Sequence, residues 1–143
     1  MKHLIFILVF ALLSSGTVHA TESPSIVVIV NPASGVDKLT RDEVIDIFLG
    51  RYRKLPGGRV AMPIDVTEEG ERGQFYQLLV KKSPAEMSSY WARLVFSGQT
   101  SPPFQVPDAQ TAIDLVQSNP NAIAYVDRSA VTPKVKVVLE IKP

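Results

Sequence analysis

The chain has 143 residues, 15 of them Lys or Arg and 14 Asp or Glu, with two His and no Cys. Charge this close to balance argues against a broad electrostatic footprint for nucleic acid or anionic lipid. The lack of cysteine excludes a disulfide, a thiolate ligand and a thiol nucleophile.

The first 20 residues read as an export signal. Lys2 and His3 form a short basic start, Leu4 to Leu13 is an unbroken apolar run, and Val18-His19-Ala20 is a small-residue cleavage site. The run is too short for a bilayer span, which takes about 20 residues, and there is no lipobox cysteine for a lipid anchor. Removing residues 1–20 takes away both histidines. The expected product, residues 21–143, is one soluble domain in the periplasm or secreted, without imidazole or thiol. Such a chain cannot build a zinc site of the usual nitrogen and sulfur ligands, or a Ser-His or Cys-His nucleophile pair. The residues therefore speak against an enzyme, and no catalytic residue, metal or cofactor is expected.

Ser25 to Val30 is a continuous β-branched run of the kind buried on both faces of a sheet. After Asn31-Pro32, a loop through Ser34 and Gly35 leads to a helix whose start is fully specified. Thr40 is its N-cap, Glu43 completes a capping box, and Val44 faces back to Leu39. This helix is expected to bury Val44, Ile45, Phe48 and Leu49 and to stop at Gly50. A basic loop, Arg51 to Arg59, precedes a strand over Val60 to Val66, which Pro63 marks as an edge or irregular strand. A second helix covers about Glu69 to Lys81, with Phe75, Leu78 and Leu79 inward. A third opens at Ser83, with Pro84 at its first position and Glu86 closing a capping box. Its stripe of Met87, Tyr90, Trp91, Leu94 and Val95 points to the core, and Gly98 ends it. A loop starting at Ser101-Pro102-Pro103 leads to a fourth helix, capped by Asp108, carrying Ala112, Leu115 and Val116 and ended by Asn119-Pro120. Ala122 to Val126 is a buried strand. In the last strand Val135, Val137, Leu139 and Ile141 alternate with Lys136, Glu140 and Lys142. The order predicts an α/β domain, three-layered, with a parallel or mixed sheet.

Four places carry groups with chemistry, and each also has an ordinary structural explanation. The Ser34-Gly35 loop leads to a helix N-terminus, where amides favour anions, although Asn-Pro and Gly are also common turn residues. The segment Asp65 to Phe75 holds Gly70 and Arg72, whose guanidinium suits a carboxylate or phosphate. Its glutamates Glu68, Glu69 and Glu71 also suit a helix first turn. The basic loop Arg51, Arg53, Lys54 and Arg59 is either a docking surface or a solvated loop. The aromatics Tyr90, Trp91 and Phe96 beside Arg93 read as core packing.

Several stretches together resemble the substrate-binding proteins of phosphate ABC transporters, in a short form. They are Ile26 to Pro32, Leu39-Thr40 with Ile47-Phe48-Leu49-Gly50, Arg72 to Tyr76, Tyr90 to Gly98 with Pro102-Pro103, and Asn119 to Val126. The resemblance implies a fold like one lobe of a type II periplasmic binding protein, a phosphate-like anion as ligand, and an ABC transporter as partner. In that family a Ser-Gly-Thr-(Arg) turn opens the helix and holds the phosphate. Aligned on Phe75, that turn here reads Glu69-Gly70-Glu71-Arg72. Gly70 and Arg72 carry over, acids replace both hydroxyls, and Asn121 and Ala124 stand at two usual glycine positions. The expected ligand-binding residues are Ser34, Gly35, Thr40, Gly70 and Arg72. The alternative is an extracytoplasmic interaction or sensor module derived from this fold. Its Arg51 to Arg59 and Pro102-Pro103 loops would dock on a membrane transporter or sensor.

Overall fold

The computed structural model describes residues 25–143; the expected export signal, residues 1–20, lies outside them. The β-branched run forms β1 (Ile26–Val30), every residue of which is buried. A short 3-10 turn over Pro32–Ser34 precedes α1 (Arg41–Phe48). Then come β2 (Met62–Val66), α2 (Glu69–Val80), α3 (Pro84–Phe96), β3 (Phe104–Val106), α4 (Ala109–Ser118), β4 (Ala122–Asp127) and β5 (Lys136–Ile141). Both capping boxes are formed. Thr40 Oγ1 accepts from the Glu43 amide while Glu43 accepts from the Thr40 amide, and Ser83 and Glu86 repeat the arrangement. Among the described residues no helix is long and apolar enough to cross a membrane.

The strands form one mixed sheet in the order β3-β2-β4-β1-β5. β2 runs parallel to β3 and β4, whereas β1 runs antiparallel to both its neighbours, β4 and β5. The chain steps outward from β2 to β3 and back across β2 to β4. Right-handed crossovers in opposite directions put their helices on opposite faces. Thus α2, with α1 and α3, covers one face and α4 the other, which gives the three-layer α/β domain expected. Phe48 of α1, Phe75 and Tyr76 of α2 and Tyr125 of β4 form one aromatic cluster in which Phe75 stacks on Tyr125 at 3.7 Å.

Four local expectations change. First, β2 is interior despite Pro63. The Met62 amide donates to Asn121 on the β4 side, so the proline nitrogen faces the other side. There β3 begins only opposite Ile64, and no ladder bond is lost. Second, β3 itself interrupts the stretch read as loop. With three residues, two of them exposed, it is too short to show a period. Third, the last strand does not alternate simply. Val28 pairs with Leu139 and Ile29 with Val137, so a bulge at Val138 shifts the register. Val135, Val138 and Ile141 are the buried residues, and the Val138 carbonyl is freed to accept from the Leu39 amide. Fourth, α3 buries only Met87 and Trp91, while Val95 is 54% and Phe96 97% exposed.

Asn31 closes the seam between β1 and α4. Its Nδ2 donates to the Val116 and Gln117 carbonyls at 2.9 and 2.8 Å, and its Oδ1 accepts from the Ala33 amide. Because it is 7% exposed, water cannot replace these bonds. Asn31→Ala is expected to lower unfolding free energy by about 2–3 kcal/mol, with the urea m-value unchanged.

Candidate functional site

The chemistry-bearing centre of the fold is a carboxylate. Asp65 stands one residue before the end of β2, an interior strand, and is 1% exposed. A buried carboxylate must be paired and hydrogen-bonded. Arg72, in the first turns of α2, donates through Nε to Asp65 Oδ2 at 3.0 Å. Tyr125 of β4 donates its hydroxyl to Asp65 Oδ1, and the Tyr125 oxygen in turn accepts from the Val66 amide at 3.2 Å. The Arg72 guanidinium also lies over the Tyr76 ring, 5.6 Å from its centroid. Burial alone would lower the Arg72 pKa, but the Asp65 hydrogen bond and charge outweigh it and the net shift is upward. Burial pushes both tyrosine hydroxyls up, and the nearby Asp65 charge adds to this. Tyr76 Oη is buried beside this group without reaching hydrogen-bond geometry.

This network aims Arg72. Its Nε is held by Asp65, and among the described residues no acceptor engages its two Nη groups. The guanidinium lines a cleft of about 540 Å³ shared with Thr67, Glu69, Ser83, Pro84 and Ala85. The cleft opens at the N-terminus of α2, where Glu68 occupies the cap position without a side-chain hydrogen bond to the helix. First-turn amides are therefore left for another acceptor. The Ser83 oxygen already accepts from the Glu86 amide at 3.2 Å, so only its hydroxyl hydrogen is available to the cleft. Glu69 is the charge in this cleft that opposes an anion.

Glu71 lies in the same turn. Desolvation raises its pKa above the usual 4.5, a hydrogen bond from the Asp127 backbone partly offsets this, and the charges of Glu68 and Asp127 raise it further. Its Oε2 is buried without a partner.

The fold does not bring the five expected residues together. Val30 pairs with Ile123 at the start of β4, whereas Ile26 pairs with Asp127 at its end. Ser34 and Gly35 therefore leave the sheet at the end where β2 and β4 begin. Gly70 and Arg72 lie at the end where β2 and β4 finish. The separation follows from β1 running antiparallel to its neighbours, so the loop after β1 leaves the sheet at the end opposite the loop after β2. Ser34 is 5% exposed and accepts from the Val36 amide, and Gly35 supplies a left-handed turn at φ 77°. Thr40 caps α1, and its neighbour Arg41 donates to the Leu78 and Leu79 carbonyls at the far end of α2. The fold gives these three residues structural tasks of their own.

Asp65, Tyr76 and Tyr125 were not among the expected site residues. A carboxylate inside a buried strand, seven residues before an arginine, was the one signal in the sequence. Among the described residues, no group of three or more His, Cys, Asp or Glu could hold a metal ion.

No protein-family profile and no curated protein sequence matches the chain. The fold does match solved structures of transport receptors. An ABC-type phosphate transport receptor from Vibrio cholerae superposes with a TM-score of 0.62 at 19% identity, covering 80% of this chain and 45% of that one. A Clostridium perfringens protein solved with bound phosphate, assigned as a phosphate ABC transporter substrate-binding protein, gives 0.64 at 23% identity, over 80% and 44%. PstS from Borrelia burgdorferi gives 0.56 at 14%, over 80% and 46%. The chain therefore has the fold of one lobe of a periplasmic binding protein and spans less than half the length of these receptors.

The raised Glu71 pKa carries a sign. The folded state holds that proton more tightly than the unfolded chain, so ionisation of Glu71 weakens the fold as pH rises above its ordinary value. Glu71→Gln should raise Tm at pH 7, and the gain should vanish below about pH 4. Thermal melts across that range read it directly.

Proposed function

We propose that this chain is an exported, one-lobe solute-binding protein that takes a small phosphate-like oxyanion at the mouth of α2 and works with an ABC transporter. The observation that carries the reading is the orientation of Arg72. Its Nε is fixed by a buried carboxylate, and its side chain lines the cleft at the uncapped N-terminus of α2. Guanidinium Nη groups and helix N-terminal amides are the donors an oxyanion needs. The site consists of Gly70 and Arg72 with the Ser83 hydroxyl; Ser34, Gly35 and Thr40 stay outside it. The fold likeness to receptors for phosphate supports the ligand class and the transport setting.

One feature makes the binding weak. Glu69 opposes an anion by about 1 kcal/mol per unit of its charge at short range in water. The same glutamate favours the second reading, an interaction or sensor module that binds no ligand.

Isothermal titration with phosphate and sulfate, on protein refolded to remove bound ligand, separates the two. Wild type should bind at millimolar concentration. Glu69→Gln should bind several-fold more tightly, and Arg72→Gln about tenfold or more weakly, since a charge-assisted hydrogen bond contributes about 1.5–3 kcal/mol. Circular dichroism checks that the Arg72 variant is folded. No heat from either wild type or Glu69→Gln would leave the module reading.

A further inference from the structure

The end of the sheet opposite the anion cleft carries a second concave surface. Because β3 begins only at Phe104, the first residues of β2 have no strand beside them on that side. The space is a groove of about 440 Å³ whose apolar walls include Val60, Met62, Pro102 and Phe104. Val60 and Phe104 are 62% and 58% exposed, more apolar surface than an isolated contact needs. The groove joins two loops far apart in sequence: the Arg53 guanidinium donates to the Ser101 carbonyl and hydroxyl. It also holds Asn121, which accepts from Arg59 Nη1 at 3.3 Å.

Charge on this rim has one sign. The loop 51–59 carries Arg51, Arg53, Lys54 and Arg59 and no acid. Glu43 and Asp46 line a separate depression on the other side of that loop, with Tyr52, Lys54 and Leu55. Glu68, Glu69, Glu71 and Asp127 cluster at the other end of the sheet. β3 is also an edge strand. The Thr67 amide donates to the Val106 carbonyl, so Val106 and, by parity, Phe104 turn their backbone toward β2, while Gln105 presents its N–H and C=O outward.

We propose that this groove docks an extended segment of a partner protein in which acidic and apolar residues alternate. The apolar side chains fill the space beside Val60, Met62 and Phe104, and the acids meet Arg59 at the rim. The segment's backbone pairs with Gln105 on the open edge, as peptides do when they add a strand to a sheet. A concave groove ending in an open strand edge fits a chain, whereas a bilayer presents a flat surface. This inference is independent of anion binding, since the two surfaces share no residue.

The test uses a fluorescent nonapeptide alternating glutamate with valine and phenylalanine, and its lysine counterpart, read by anisotropy. The acidic peptide should bind roughly tenfold more tightly than the basic one, and more weakly as salt rises. Phe104→Ser and Arg59→Glu should each weaken it roughly tenfold. Phe96→Ser, at an exposed aromatic outside the groove, should leave it unchanged. Equal binding of both peptides, no binding, or indifference to the two groove variants would overturn the proposal. So would co-sedimentation with phosphatidylglycerol vesicles, or a dimer in ultracentrifugation, that the same two variants abolish. Those results would assign the groove to lipid or to a second copy.

Discussion

The Asp65 carboxylate is the constraint around which this domain is arranged. A charge on an interior strand cannot stay unpaired, and breaking such a pair from one side costs about 3–5 kcal/mol. Its partners come from two different elements, Arg72 from α2 and Tyr125 from β4. The interaction therefore sets how α2 approaches the sheet and which way its second turn faces. Phe75 follows three residues after Arg72 and stacks on the same Tyr125 ring, so the polar contact and the aromatic cluster fix one another. Arg72 is left oriented but not consumed, and its side chain lines the cleft.

Much of this fold was legible in the residues because its signals are local. Thr40 with Glu43, and Ser83 with Pro84 and Glu86, declare helix starts through bonds made within one turn. The five β-branched residues of β1 declare a strand buried on both faces. What could not be read depends on neighbours distant in sequence. Strand direction is one such property: nothing in Ile26 to Val30 says that β1 opposes β4, yet that direction separates Ser34 and Gly35 from Gly70 and Arg72. The bulge at Val138 exists through pairing with β1. The burial of Tyr76 depends on β4 and Arg72. Pro63 shows the reverse case, a local rule set aside because the missing donor faces a side without a partner strand.

The two ends of the sheet differ in kind. At one end, an uncapped helix and an oriented arginine meet glutamates, a balance of attraction and repulsion suited to a weakly held anion. At the other, the Arg51 to Arg59 loop and the Pro102-Pro103 loop, joined by the Arg53–Ser101 bonds, frame an apolar groove. The receptors sharing this fold are more than twice as long as the matched region. The fold likeness conveys the scaffold, whereas Glu69, beside Arg72 in the cleft, bears on what that cleft can hold.

The central claim is that Asp65-oriented Arg72 and the first-turn amides of α2 form one oxyanion site. Amide chemical shifts followed by NMR during titration with inorganic phosphate at constant pH and ionic strength test it residue by residue. The account predicts shifts confined to Thr67 through Gly73 and Ser83 through Ala85, with Ser34, Gly35 and Thr40 still. No shift at millimolar phosphate, or shifts centred on Ser34 and Gly35, would contradict it.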